Sequence, residues 1–451
     1  MAIDGLKRVL GLPEVTFISI GMTMGAGIFV FTGIVLKIVG PALPLAYAIA
    51  VIPVFLSMLP LAMLGSALPT TGGNYKYPSR MVSPGFTFVG IWVYILATFF
   101  GQIPLYSMAC ARYARLFFPG LSIELFAVVL ISFLFIINII GIKPAVQVQG
   151  VLVILAVAAK LYFSGNGLIQ FHAEYMDDFM QMGTGSLFLG VGLLTFTYLG
   201  SNGIIELGDE IKNPGKVIPR AYFITFPVVT IVYLTIAFAA VGVVPWQGLV
   251  GVDEPLIAVS QSCLGPAGVA FFVLCGAIVA LVSTLNALFI IGTKSLLMII
   301  SDGLLPAFLG RIHKRFGTAH ILFIIIWILS ICGVLSGLSL ETFASYSALA
   351  GILIFLPLLI ASLRLPKLYP DKYAQSEFKL KGFWLYFCPI MGFVLILFFS
   401  AVILADLKSP MKIGFFLLFI LSGFVYYMLR KRYLKSKGIN LDDLRTKEEW
   451  K

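Results

Sequence analysis

Residues 20–33 read IGMTMGAGIFVFTG, and the fold turns on what the four glycines, Gly21, Gly25, Gly27 and Gly33, are for. They sit inside an apolar run long enough to cross a bilayer. Each glycine costs about 0.8–1.0 kcal/mol relative to alanine in a helix interior, so four in fourteen residues need a reason. Three readings compete. The glycines admit a closely packed neighbour, with GxxxG spacing at Gly21 and Gly25; they are neutral on a lipid-facing surface; or they mark a deliberate break.

Composition sets the environment. Of 451 residues, 60% are hydrophobic and 11% charged, with mean hydropathy +1.03, too little polar surface for a soluble chain of this length. Apolar runs of about 20 residues, each able to cross a bilayer about 30 Å thick, recur along the chain. Twelve are expected, at 15–39, 43–68, 86–117, 121–141, 144–164, 184–207, 219–244, 263–293, 319–337, 340–362, 383–406 and 412–433. No cleavable signal is expected, because MAIDGLKRVLGLPE lacks a small-residue cleavage site. Cys110, Cys263, Cys275, Cys332 and Cys388 all fall in apolar spans, without metal-like spacing, and read as small core residues.

Charge gives the orientation. With the N-terminus in the cytoplasm, 25 of the 31 Lys and Arg residues fall on the cytoplasmic side, as the positive-inside rule asks. Only Lys37, Arg112, Arg115, Lys160, Lys408 and Lys412 fall outside. The net charge of +11 is then mostly topology, and no nucleic-acid partner is needed. Both termini are expected in the cytoplasm of a multi-pass cell-membrane protein. The basic start of the tail RKRYLKSKGINLDDLRTKEEWK suits a stop-transfer signal or anionic lipid.

A second span is interrupted in the same way. LLTFTYLGSNGIIELGDE (193–210) carries Gly200, Gly203 and Gly208, with Ser201 and Asn202 at mid-membrane depth. Glycine-interrupted spans at corresponding places in two halves point to a transporter with discontinuous helices. The first and sixth spans are separated as a five-plus-five repeat requires. The break reading wins.

At this point the chain resembles the amino acid/polyamine/organocation transporters over nearly its whole length. GMTMGAGIFVFTG (21–33) is similar to their first-helix signature, LPTTGGNYKYPSR (68–80) to the loop after helix two, and FTYLGSNGIIELGDEIKNPGKVIPRA (196–221) to helix six with its exit. STLNALFIIGTKSLLMIISDGLLP (283–306) is similar to helix eight. The resemblance implies an all-α, leucine-transporter-type fold with twelve transmembrane helices. Residues 15–164 and 184–362 would form inverted repeats with broken helices one and six, and 383–433 two appended helices. The remaining segments would be the N-terminus 1–14, an extracellular loop 165–183, a cytoplasmic loop 363–382 and the tail 434–451. It implies a secondary active transporter of an amino acid, without cofactor or metal, with proton coupling favoured over sodium and exchange left open.

The site expected from the break follows helix-end chemistry. Backbone N–H groups of Ala26, Gly27 and Ile28 open the second half-helix and suit a carboxylate. Carbonyls around Met22 and Thr23, and near Phe196, Thr197 and Leu199, suit an ammonium, so an α-amino acid zwitterion fits. Thr98, Gln102 and Tyr106 recur every four residues in the third span, a polar stripe on one face. Span eight adds Ser283, Thr284 and Asn286, and span ten Ser345, Tyr346 and Ser347, each with helix–helix bonding as the competing role. Phe196 stands where the resemblance places an aromatic lid, and Asn202 where some cation-handling relatives carry an acid. With no acid opposite the side-chain pocket, a neutral amino acid of small to medium size is expected, and a cationic amino acid or polyamine is the alternative. Glu206, Asp209 and Glu210 are expected to gate through Lys76, Arg80 or Arg220, or to be solvated.

Many proton-coupled relatives carry a lysine in helix five, at the position of Ala156 here. Lys160 falls four residues later on the same helical face. It reads either as a coupling residue or as a lysine snorkelling from the outer end of its span. An enzyme would need clustered nucleophiles, acids or metal ligands, and His172, His313 and His320 lie in loops or at a span edge. A channel would need a filter repeat or a charged ring. Neither pattern is present.

Overall fold

The computed structural model describes residues 8–141, 146–441 and 443. Lys7, Lys143 and the end of the tail from residue 444 lie outside the described residues. Among the described residues there is no strand, only isolated bridges between Leu10 and Ile211 and between Thr71 and Leu207. The helices run α1 (Leu12–Thr23), α2 (Gly27–Val39), α3 (Leu43–Ala67) and the short α4 (Gly73–Met81). Next come α5 (Pro84–Leu96) and α6 (Ile103–Ala114), joined through a π-helical turn over Ala97–Gln102. They are followed by α7 (Ile123–Ile140), α8 (Val146–Ile169) and α9 (Gly183–Thr195), which continues as a 3₁₀ stretch over Phe196–Glu206. Then follow α10 (Pro214–Gly242), the short α11 (Pro255–Cys263), and α12 (Pro266–Phe271) with α13 (Val279–Ser301) about a second π turn, Phe272–Ile278. The chain ends with α14 (His320–Leu335), α15 (Leu340–Leu353), α16 (Phe355–Leu368), the short α17 (Pro370–Gln375), α18 (Phe383–Asp406) and α19 (Pro410–Ser436).

Among the described residues, ten helical stretches are long and apolar enough to cross a membrane, the first running from Leu12 to Ala67, and α14 is a shorter apolar helix. Closed helices suit that setting because each N–H and C=O is satisfied within its own segment, as lipid requires. The exceptions define the architecture. Met24 caps α1 and donates its N–H to Ile20 O at 2.7 Å; the helix lapses over Met24–Ala26, and α2 resumes at Gly27 with Ala26 as its N-cap. Residues 196–206 do not leave the helical path but tighten to a 3₁₀ run of 11 residues, where runs beyond about four are uncommon.

The two irregular stretches cross each other at backbone contact. A Cβ placed on Gly200 would fall on the Met22 carbonyl, and one on Gly203 on the Met22 side chain. Gly21 packs against Val153 of α8 and Gly25 against Thr284 of α13. Close packing and the break are therefore both served by these glycines.

At the end of the molecule that carries the N-terminus, polar ties replace apolar packing. Val9 and Leu10 donate to Glu210 O at 3.0 Å, and Lys212 N–H returns a bond to Leu10 O. Arg80, at the end of α4, forms a two-pronged ion pair with Asp302 at 2.6 and 3.1 Å, and Tyr75 donates to the same carboxylate at 2.8 Å. Both side chains are almost fully buried. Arg80 thus pairs with Asp302, and the segment after residue 205 receives backbone donors. Asn74 N–H binds Glu206 Oε1 and Thr71 N–H binds Asp209 Oδ2.

Asp302→Ala is expected to destabilise the protein by about 3–5 kcal/mol, because it leaves a buried guanidinium without its carboxylate. Lys216→Ala removes the half-exposed pair with Glu377 and is expected to cost at most about 1 kcal/mol. Thermal unfolding of the two variants in detergent checks the contrast.

Candidate functional site

A cavity of about 480 Å³ lies where the α1–α2 break faces the start of the 3₁₀ stretch. Gly21 to Gly27 form one wall, and Phe196, Thr197, Leu199, Gly200, Asn202 and Gly203 form another. Gln102 and Tyr106 of the third span, Lys160 of α8, Ser283 and Thr284 of α13, and Gly351 of α15 complete it. Its mouth is on the N-terminal side, lined by Leu10, Glu14, Gly72 and Asn74. The opposite side is shut. There the rings of Phe31 and Phe196 lie 5.1 Å apart, Tyr113 donates to Phe29 O at 3.2 Å, and Arg112 approaches Glu254 at 3.8 Å.

The backbone groups freed by the break are held from three directions. Thr284 Oγ1 accepts from Ala26 N–H at 3.0 Å while donating to Ala280 O at 2.8 Å. Tyr233 of α10 donates to Thr23 O at 2.7 Å, with Thr197 O 3.2 Å from the same hydroxyl. Lys160 donates to Met24 O and sits 5.2 Å from the centre of the Phe29 ring. Among the described residues, no protein acceptor meets the N–H of Gly25, Gly27 or Ile28. The cavity thus offers backbone donors at a helix N-terminus, which suit an anion. Gln102 and Asn202 carry their amides at its wall, with no protein hydrogen-bond partner among the described residues.

Several expected residues meet here: Met22, Thr23, Ala26, Gly27, Phe196, Thr197, Leu199, Asn202, Gln102 and Lys160 all line the cavity. Three do not. Ile28 is buried behind it with only its N–H left over. Thr98 faces a separate small void beside Tyr94, Phe99 and Gly292. The cause is the π turn, whose i→i+5 bonding takes more than four residues per turn, so that Thr98 and Gln102, four apart, no longer share a face. Pro104, which has no N–H to give, stands two residues past the end of the turn. Asn286 accepts a bond from Asn138 of α7 at 2.7 Å; two residues on from Thr284, it points to the other side of α13.

Lys160 does not snorkel. It is 1% exposed, because α8 runs on to Ile169 and leaves the lysine nine residues short of the helix end. Sequence reasoning missed Tyr233, whose signal was the single tyrosine in the apolar run TFPVVTIVYLTIAF (225–238); a buried tyrosine finds a partner for its O–H. It also left the carbonyls around Met22 and Thr23 free for a ligand, whereas Tyr233 already engages Thr23 O and Lys160 the next carbonyl, that of Met24. Ser345, Tyr346 and Ser347 lie off the cavity, Tyr346 donating to Lys412 O.

An all-helical membrane protein with a cavity between irregular helices has the build of a solute carrier. The model of the amino acid permease family matches residues 10–432, and the chain belongs to that family, within the amino acid/polyamine/organocation superfamily. It is 26% identical to a branched-chain amino acid permease of Bacillus subtilis over 95% of this chain and 94% of that one. It is likewise 26% identical to a methylthioribose transporter of Bacillus subtilis, over 81% and 83%. To the vacuolar cationic amino acid transporter 4 of Arabidopsis thaliana it is 26% identical, over 69% of this chain and 55% of that one.

Tyr233→Phe is expected to lower stability by about 1–3 kcal/mol, since it leaves the Thr23 carbonyl buried and unmet. Denaturation in detergent, compared with the wild type, measures it.

Proposed function

We propose that this chain is a secondary transporter, not an enzyme, which carries a neutral amino acid of small to medium size by alternating access. The observation that carries this is the cavity at the break, with the unmet N–H groups of Gly25 and Gly27 beside the amides of Gln102 and Asn202. The N-terminus of α2 holds the substrate carboxylate. The ammonium is left with carbonyls of the 3₁₀ stretch near Phe196 and Leu199, since those of Thr23 and Met24 are engaged. Similarity to a branched-chain amino acid permease over nearly the full length supports a neutral substrate.

Twelve spans follow if the stretch from Leu12 to Ala67 crosses twice and α14 crosses once. The first five and the next five then form inverted repeats, with α18 and α19 appended. Correspondence between halves supports this: the first and sixth spans are the irregular pair, and the third and eighth each contain a π turn. With both termini in the cytoplasm and loop 165–183 outside, the mouth beside Leu10 and Glu14 faces inward, and the conformation is open to the cytoplasm.

Lys160 couples transport to a proton, because its ammonium rests on the Met24 carbonyl of the break itself. A sodium ion would compete for the same oxygen, so proton coupling or exchange is favoured. A second reading, a cationic substrate, draws on Glu14 and Glu206 in the cavity lining and on the similarity to cationic amino acid transporters. Glu206 already accepts from Asn74 N–H and stands four residues past Asn202. At about 2 Å per 3₁₀ residue, that is about 8 Å toward the mouth.

Reconstitution in proteoliposomes tests the proposal. Saturable, trans-stimulated uptake of leucine or alanine is expected, with Lys160→Ala losing the pH dependence of uptake while retaining substrate binding. Dominant competition by arginine, lysine or putrescine would overturn the neutral substrate. An unchanged pH profile would overturn the role of Lys160, and absence of saturable amino acid uptake would overturn transport.

A further inference from the structure

Gly351 lies within α15, at an ordinary helical backbone conformation that any residue adopts. Alanine there would favour the helix by about 0.8–1.0 kcal/mol, so glycine is kept for space. The space is used by one side chain. A Cβ on Gly351 would stand 2.6 Å from both Cδ2 and Cε2 of Phe196, and 3.3 Å from Leu199 Cδ1. The Cδ2–Cε2 edge of the Phe196 ring therefore lies against the backbone of α15. Its other side meets Phe31, which is fully buried, at a centroid distance of 5.1 Å.

We infer that Gly351 is a specificity-determining residue, which sets the largest substrate side chain the site accepts by letting the Phe196 ring withdraw against α15. This rests on the transport function proposed above. The ring is held between a helix backbone and a buried neighbour, and both Phe196 and Gly351 line the cavity. A methyl group at residue 351 cannot push the ring through Phe31, so the ring turns into the cavity. There it takes the room that a longer substrate side chain needs. The obstructing atoms belong to a side chain that can rotate, so Gly351→Ala changes the shape of the site while the helices stay where they are.

One methylene in an apolar pocket is worth about 10- to 200-fold in discrimination. The test is uptake of glycine, alanine, valine, leucine and phenylalanine, with 2,3-diaminopropionate and lysine alongside. The proteins compared are the wild type, Gly351→Ala, Phe196→Leu and the double variant. In Gly351→Ala the ratio of Vmax/KM for leucine over alanine is expected to fall about tenfold or more. Leucine at 196 lacks the outer ring atoms, so the double variant is expected to recover the wild-type ratio to within about twofold. Phe196→Leu alone is expected to raise the ratio for phenylalanine over alanine, which keeps the test open if Gly351→Ala does not fold.

Equal loss for all substrates in Gly351→Ala, no recovery in the double variant, or an unchanged ratio in Phe196→Leu would each overturn the inference. A wild type that carries only lysine and 2,3-diaminopropionate would instead overturn the neutral-substrate reading. The size test is then read from the ratio of those two.

Discussion

A helix interrupted inside a membrane exposes carbonyl and N–H groups that no water or lipid can satisfy, and each costs several kcal/mol if left bare. The break at Met24–Ala26 is tolerable only because side chains from three other helices reach it. Thr284 of α13 holds the Ala26 N–H, Tyr233 of α10 the Thr23 carbonyl, and Lys160 of α8 the Met24 carbonyl. Those bonds fix where α8, α10 and α13 stand. They also decide what is left over. The carbonyl side of the break is filled by the protein, and Gly25 and Gly27 N–H stay open to the cavity. One set of backbone groups is thus divided between bonds within the protein and the cavity.

The same constraint explains why polar residues in the spans are few and specifically placed. Lys160, among the most buried side chains in the chain, would be costly in an apolar core without an oxygen to bind. The ion pair of Arg80 with Asp302 lies at the mouth end, where α4 meets the end of α13, and it joins residues 222 apart in sequence. Buried pairs of this kind contribute little net stability, yet they are strict about geometry. Together with the bonds from Val9 and Leu10 to Glu210, the pair ties the ends of helices that the cavity would otherwise separate.

Much of the fold was legible because span length and glycine placement are direct consequences of the bilayer. Helix ends fall within a few residues of the apolar runs for most stretches, as with α18 at Phe383–Asp406. The glycines at 21–27 and 200–203 marked two irregular stretches, although the second, expected as a break, tightens to a 3₁₀ run without leaving the helical path. What the sequence hid depends on rotation and depth. The π turn before Pro104 shifts Thr98 off the face that Gln102 keeps, and an expectation of regular four-residue spacing cannot see it. Asn286 faces α7 because it is two residues from Thr284, not four. Lys160 looked peripheral because the helix end was placed five residues early. Tyr233 and the Arg80–Asp302 pair are long-range meetings that no local pattern encodes.

The most direct measurement is the thermal stability of the purified protein with L-leucine, with L-leucinamide, and with neither. Backbone N–H groups at a helix N-terminus recognise a carboxylate, and the amide differs from leucine in that group alone. A ligand present at 100 times its Kd adds about 2.7 kcal/mol of stability, which is readily seen as a raised Tm. The account predicts a clear rise with leucine and none with leucinamide at the same concentration. Equal rises with both would contradict it, because the break would then not be where the carboxylate is held.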